Sequence, residues 1–399
     1  MKNVIFISPH FPTNYYRFCR ELKNNGLNVL GIGDQNYDEL RQELKDCLAG
    51  YYKVDDMQSY SEMYRAVAYF ASTYGRIDFL ESNNEFWLIQ DAKLRRDFNI
   101  PGLKPQDMEF IKLKSKMKAL YNNAGIKTAR YSLPKTREEA VQFAREVGYP
   151  IVVKPDNGVG AVNTFKLLSD DDLHRFITDW QANYKGIPYI FEEFVNATVN
   201  TYDAIIGPKG KPIFETGNVT MRSIMETVNE HSESLCYIHK ELPDDMREIG
   251  RKTVRAFGVE NRFVHLEFFR LDRDQEGLGL KGDIVGLEVN MRPAGVFLPD
   301  VMNYANSTDV YKIWADMVAF GSSLRGTGDK QYSIFVGRRP FVHYKLDDAA
   351  VMERYGEQMN QVLYLEPPLS EAMGEIVYIA SFKEYQAMEQ FIAELIERC

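Results

Sequence analysis

The sequence predicts an α/β unit at the N-terminus followed by α+β units. Over residues 1 to about 103, apolar strand-like runs alternate with amphipathic segments. Between 201 and 300 come several strand-like runs, YDAII, PIFET, FVHLEFFRL and DIVGLEVN. From about 321 the tail holds SIFVG, VLYLEP and EIVYIASF ahead of a last helix, KEYQAMEQFIAELIER.

In chain order, VIFIS at 4–8 reads as a buried strand, and Phe18, Leu22 and a closing Gly26 mark the helix after it. NVLGIG at 28–33 is a second strand, residues 60–74 are amphipathic, and IDFL at 77–80 is another short strand. Strands alternating with helices mean a parallel sheet covered on both faces. The first strand-to-helix turn, SPHFPTNYY, is not GxGxxG, so a dinucleotide fingerprint is missing. GxxxxGK[ST] is absent as well; GSSLRGTGDK at 321 comes nearest but lacks Lys after its second Gly. IPGLKP at 100–105 is a Pro/Gly-marked linker. A basic helix follows at 112–125, KLKSKMKALYNNAG, and a second helix, REEAVQFAREVG, ends at Gly148. Then come YPIVVKP, the glycine-containing turn DNGVGAVNT and a strand, YIFEEFV, at 189–195.

The 399 residues favour two to three domains, and 45% hydrophobic with 26% charged residues is ordinary for a globular chain. A net charge of −9 argues against a nucleic-acid backbone or an anionic membrane as main partner. No apolar run approaches the ~18 residues of a membrane-spanning helix, and the N-terminal apolar run lacks a signal-peptide cleavage site. Cys19, Cys47, Cys236 and Cys399 are scattered, without CxxC or zinc spacing, so a cytoplasmic protein with free thiols is expected.

The strongest chemical signal lies in IVGLEVNMRP at 284–293. Glu288, Asn290 and Arg292 occupy every second place on an otherwise apolar strand, so they share one face. HLEFFRL sets Glu267 and Phe269 on one face of another strand. Two carboxylates and an amide oxygen are hard donors that suit Mg²⁺ or Mn²⁺. Arg292 suits a bidentate grip on a carboxylate or phosphate. Lys154 ends an apolar strand, where desolvation is costly unless an anion is met. Gly158 and Gly160 follow it and let backbone N–H groups approach phosphate oxygens. Lys112, Lys114, Lys116 and Lys118 are too many to converge on one site, so most are expected to face solvent. Glu192 and Glu193 are adjacent acids on an apolar strand, one of them placed to take the exocyclic amine of adenine. The six histidines show no triad spacing, and there is no GxSxG. His265 shares the face of Glu267 and reads as a satisfied structural side chain.

Taken in order, Lys114, Gly125-Ile126, GYPIVVKP, the glycine loop, EEFV, Glu267 and EVNMRPAG resemble the ATP-grasp superfamily over roughly residues 1 to 320. The resemblance implies an N-terminal pre-ATP-grasp domain at 1–103 and an ATP-grasp N-terminal subdomain with a mobile lid at 104–197. It further implies a central mixed-sheet subdomain with the metal site at 198–320 and a C-terminal α+β subdomain at 321–399. Lys114 and Lys154 would be the two nucleotide lysines, and the loop around Gly158 and Gly160 the lid over the phosphates. Glu192, Glu193, Phe194 and Val195 would form the hinge that pairs with adenine, sandwiched between Val152 and Phe269. Glu267, Glu288 and Asn290 would hold the metal ions, and Arg292 the reacting carboxylate and acyl phosphate. Two departures stand out. Leu113 replaces the Asp that often precedes the first lysine, and NATVNTYD has no ribose-binding Glu, leaving Asn200 as a substitute, while Asp203 matches the acid that closes the segment.

The reaction the resemblance implies is ATP- and Mg-dependent ligation. A small carboxylate, an amino acid or similar acid, becomes an acyl phosphate and is joined to an amine, with Lys154 and Arg292 carrying the charge. The alternatives are bicarbonate activation as in biotin carboxylase, and an ATP-binding protein that has lost catalysis. Asn84 or Glu85, after the strand at 77–80, is a candidate substrate contact, because ligands bind where α/β strands end; Arg222, His231 and His239 are further candidates, in a segment that could form a substrate loop. The expected partners are small molecules; homodimers are common in the resembled families.

Overall fold

Alternating strands and helices close a parallel sheet first. Its strands are β1 (Asn3–Ile7), β2 (Asn28–Gly33), β3 (Gly50–Lys53) and β4 (Phe79–Glu81), in the order β3-β2-β1-β4. Each pairing is parallel. The computed structural model describes residues 1–399 except 159–162, 184, 185, 187, 222–231, 296 and 368, and except the side chains of 181 and 372. No helix among the described residues is long and apolar enough to cross a membrane.

A small antiparallel sheet follows, built from β5 (Tyr131–Ser132), β6 (Ile151–Pro155), β7 (Phe165–Leu167) and β8 (Tyr189–Glu193) in the order β5-β8-β6-β7. It has its own core, in which Ile151, Val153 and Phe191 pack against Ala140, Phe143 and Ile177 of two helices. Alternation along β6 buries Ile151, Val153 and Pro155 and leaves Val152 and Lys154 half-buried on the other face.

The third sheet has nine strands: β9 (Ala197–Ile206), β10 (Pro212–Thr216), β11 (Asn218–Thr220), β12 (Ser234–Ile238), β13 (Arg262–Leu271), β14 (Ile284–Asn290), β15 (Tyr332–Arg338), β16 (Met359–Tyr364) and β17 (Ile376–Phe382). Its order is β14-β13-β9-β11-β12-β15-β17-β16, with β10 also on β9. The expected mixed sheet is antiparallel at each pairing, and the connection of β9 to β10 is too short for a parallel crossover. The tail strands do not form a sheet of their own. β15 pairs with β12 and so extends the central sheet.

One core joins the N-terminal unit to this sheet. Phe18 lies 4.7 Å from Tyr311 and 5.0 Å from Trp314, ring centre to ring centre, on the helix Val310–Phe320. Such pairs add ~0.5–1.5 kcal/mol beyond burial. The same cluster reaches Ile205, Phe263 and Phe335 of the large sheet.

The expected basic helix at 112–125 is two helices, Pro105–Lys112 and Lys114–Asn123. Leu113 between them is extended (φ −96°, ψ 114°). Lys114 therefore begins a helix, with its first-turn N–H groups needing acceptors.

Candidate functional site

The register of β13 on β14 sets the polar face. His265 lies opposite Asn290 and Glu267 opposite Glu288. An irregularity follows, because Phe268 pairs with Gly286 and Leu287 is passed over. Four polar side chains thus form one block, and Phe269 continues toward an apolar group of Val195, Leu271 and Val285. Asn290 Nδ2 donates to Glu267 Oε1 at 3.2 Å, and Arg292 Nη2 donates to Asn290 Oδ1 at 3.3 Å.

The opposite wall is the small sheet and the helix Lys114–Asn123. Lys114 Nζ is 3.3 Å from Glu288 Oε1 and donates to the Gly158 carbonyl at 2.6 Å. Glu192 lies between two lysines, with Oε1 3.3 Å from Lys118 Nζ and Oε2 3.1 Å from Lys154 Nζ. Burial alone would raise the Glu192 pKa, but the two ammonium groups bring it down to about 2. Burial lowers the pKa of Lys118.

Lys118 corrects the sequence reading. Its side chain is 1% exposed rather than solvent-facing. Lys114 and Lys118 are four apart on a helix and share a face; that spacing was the available signal. Lys112 also turns inward, because the break at Leu113 cancels the period that would point it away from Lys114. Its Nζ is 2.5 Å from Glu85 Oε1. Lys116 alone of the four lies outward, beside Glu109.

Leu113 is explained as well. Asp156, just after β6, accepts from the Ser115 N–H at 2.8 Å and from Ser115 Oγ at 2.7 Å, while its carbonyl accepts the Lys114 N–H at 2.9 Å. The carboxylate that caps this helix start arrives from a distant segment.

Neither hinge carboxylate is a free acceptor for an adenine amine. Glu192 is held by two lysines, and Glu193 accepts from the Arg130 N–H at 2.7 Å and from its guanidinium at 2.8 and 2.9 Å. Part of the hinge main chain is engaged as well, the Glu193 N–H donating to the Arg130 carbonyl at 3.0 Å and the Phe194 N–H to the Pro150 carbonyl at 3.2 Å. The Gln275 amide holds the hinge backbone, donating to the Phe194 carbonyl at 2.9 Å and accepting from the Asn196 N–H at 3.1 Å. Nothing in the sequence signalled that contact. Asn200 is buried and donates to the Thr198 carbonyl.

His265 is more than a satisfied core residue. Its Nδ1 is 2.7 Å from Asp203 Oδ1 and its Nε2 is 3.2 Å from Glu267 Oε1. Burial would lower its pKa, but the two carboxylates raise it to about 9. The Glu267 carboxyl is correspondingly held below its usual range despite burial.

Arg292 closes the block. Its Nη1 donates to the Pro293 carbonyl at 2.8 Å and its Nε is 3.4 Å from Glu85 Oε2. The strand end is anchored by Arg262, which donates to the Met291 carbonyl and lies 3.1 Å from Glu81. Glu81 also meets Arg95 at 3.0 Å. All three side chains are buried, so each charge needs its partners. Beyond Glu81, Ser82 donates its N–H and hydroxyl to Asp91, and Asn83 takes a left-handed turn (φ 53°) with its carbonyl on Tyr15 Oη. This loop delivers Glu85 to Arg292.

His239 does not join the block. Its ring packs on Tyr237 at 5.6 Å, and burial followed by the Arg270 charge lowers its pKa to about 4. Gly160, Arg222 and His231 lie outside the described residues.

Among the described residues no three His, Cys, Asp or Glu side chains cluster as a self-sufficient metal site. Glu267, Glu288 and Asn290 supply two carboxylates and an amide, which fits Mg²⁺, since that ion keeps water and takes substrate phosphate as ligands.

A family model described as the carbamoyl-phosphate synthase L chain, ATP binding domain, matches residues 113–179. The chain is 26% identical over 159 residues to the carbamoyl phosphate synthase large chain of Xanthomonas axonopodis pv. citri (strain 306), covering 38% of this chain and 14% of that one. It spans less than a third of the length of such relatives. Its fold matches the L-amino acid ligase from Bacillus licheniformis with a TM-score of 0.72 at 15% identity, over 100% of this chain and 99% of that one. It also matches the biotin carboxylase domain of the Hydrogenobacter thermophilus 2-oxoglutarate carboxylase, solved as a dimer with MgADP and bicarbonate. There the TM-score is 0.69 at 15% identity, over 98% and 89% of the two chains.

Proposed function

We propose that the chain, whose fold matches ATP-dependent ligases and carboxylases and whose residues 113–179 match the carbamoyl-phosphate synthase ATP binding domain, is an ATP-grasp enzyme and an ATP- and Mg-dependent ligase. It activates a small carboxylate as an acyl phosphate and joins it to an amine, releasing ADP and phosphate. The observation that carries this reading is the pair of facing walls: Lys114, Lys118 and Lys154 on one, and Glu267, Glu288, Asn290 and Arg292 on the other. A polyphosphate between them meets cations from one side and oxygen donors for its metal from the other.

Phosphoryl transfer to a carboxylate needs alignment and charge neutralisation more than acid–base groups. Lys114 and Lys154 bind phosphate oxygens, the Val195 end of the hinge offers the base its main chain, and Val152 and Phe269 hold its faces. Glu267, Glu288 and Asn290 hold Mg²⁺, which neutralises charge on the phosphates when bound. Arg292 orients the acid and steadies the acyl phosphate. His265 holds Glu267 in place from behind, as outer partners of ligands commonly do. The loop after Lys154 excludes water, which otherwise hydrolyses the acyl phosphate.

The test is ADP release from Mg-ATP across small carboxylates and bicarbonate, each with and without amines. Release that requires both an acid and an amine is expected. Release with bicarbonate alone makes the chain a carboxylase instead, and failure to bind Mg-ATP removes the reading altogether.

A further inference from the structure

Glu85 is oddly placed for a structural residue. Its Oε1 is fixed by Lys112 at 2.5 Å, and its backbone by the Ser82–Asn83 turn. Its Oε2 is buried and has no hydrogen-bond partner among the described residues. Arg292 Nε faces that oxygen at 3.4 Å, out of hydrogen-bond alignment. A buried carboxylate oxygen with no donor is costly to keep. The site thus holds a fixed acceptor beside the guanidinium assigned to the substrate carboxylate.

When Arg292 turns to an incoming carboxylate, Glu85 stays where Lys112 holds it. Its Oε2 then needs a donor, preferably a cation. A simple carboxylic acid brings only a second negative charge to that spot. An α-amino acid brings its ammonium one carbon from its carboxylate, and the protein groups that read the two must then be neighbours, as Glu85 and Arg292 are. We propose that Glu85 is the ammonium-recognising residue of the acid pocket, and that the acid activated here is an α-amino acid. The inference rests on the ligase reading above, through the role of Arg292.

Hydroxylamine tests it without knowledge of the natural amine. It attacks the acyl carbon, phosphate leaves, and the hydroxamate is counted. The L-α-amino acids are assayed with Mg-ATP beside their 2-hydroxy analogues. The protein should favour at least one amino acid over its hydroxy analogue by about 100-fold in kcat/KM. Glu85→Gln should cut that preference at least about tenfold, through KM, with Mg-ADP affinity unchanged. Glu85→Asp should retain part of it, which separates recognition from a folding defect. Equal use of hydroxy acids, a preference that survives E85Q, or no hydroxamate from any amino acid by protein that binds Mg-ATP would each overturn the inference. Acid- and amine-dependent ADP release with other carboxylates would in that case leave the ligase reading standing. Failure to bind Mg-ATP would remove both.

Discussion

Replacing Lys118 with methionine separates its structural and its functional contribution. The Lys118 side chain is 1% exposed and Glu192 4% exposed, with 3.3 Å between their charged atoms. Removing one member of a buried ion pair costs ~3–5 kcal/mol, mostly for the charge left behind. Glu192 keeps Lys154 at 3.1 Å, so the lower end, about 3 kcal/mol, is expected. The readout is urea unfolding followed by tryptophan fluorescence. The second effect is on nucleotide. With Lys118 gone, Lys154 becomes the sole counter-charge of Glu192, and moving it onto a phosphate is harder. Mg-ADP affinity should fall about tenfold, or roughly 1.4 kcal/mol, by calorimetry. The double variant K118M/E192L removes both buried charges and should lose less stability than K118M alone, because apolar replacement of a buried pair is often neutral. A stability loss in K118M below about 1 kcal/mol, or a double variant whose loss equals the sum of the singles, would refute the reasoning.

Two further outcomes concern stability. His239 has its pKa lowered from 6.5 to about 4, so the fold favours its neutral form. Its contribution is complete above the unfolded value near 6.5 and is lost as pH falls toward 4, at most about 3 kcal/mol. His239→Gln should therefore narrow the gap between urea midpoints at neutral and mildly acidic pH; an unchanged gap would contradict the assignment. Gly250, on the helix Asp244–Ala256, faces the Tyr202 ring so closely that an added Cβ would come within 2.2 Å of it. Tyr202 is fully buried on β9, so Gly250→Ala should cost ~1–3 kcal/mol by overpacking, and a melting temperature equal to that of the unaltered protein would count against that packing.

Much of the fold is legible because the relevant signals are local. NVLGIG reads as a strand from its apolar run and appears over Asn28–Gly33. Gly26 and Gly148 stop their helices with positive φ, as C-terminal glycines do. The shared face of Glu288 and Asn290 is legible from two-residue alternation, while Glu267 joins them through the register of β13 on β14. What is not legible depends on distant partners. GYYK at 50–53 is short and half-buried, and becomes a strand because β2 offers it an edge. The tail looks separate, yet β15 finds β12 about a hundred residues earlier. Asp156 caps a helix from 41 residues away, and no pattern near Leu113 announces it. Lys112 turns inward because no helical period carries across the break at Leu113. Lys118 buries its charge because Glu192 is there, and that is a fact of the folded chain only.

The pairing of charges across the site has a consequence that can be measured. Lys114, Lys118, Lys154, His265 and Arg292 each lie against a carboxylate of the same site. Under the proposed function a polyphosphate would exchange partners rather than fill an unopposed positive pocket. Lys114 would give up Glu288 for phosphate, and Glu288 would in turn become available to Mg²⁺. Metal-free ATP lacks that second half of the exchange, so Glu288 merely competes with it for Lys114. Glu288→Gln should then move two affinities in opposite directions. Metal-free ATP, measured with a chelator present, should bind tighter by about fivefold, since the pair is partly exposed and worth ~1 kcal/mol. Mg-ATP should bind weaker by about 10- to 100-fold, because a metal-bound carboxylate is lost. A purely structural Glu288 would shift both affinities the same way or neither. Calorimetric titration of the two forms decides between these outcomes, and a shift of both in one direction would show that the lysine and the metal do not share this carboxylate.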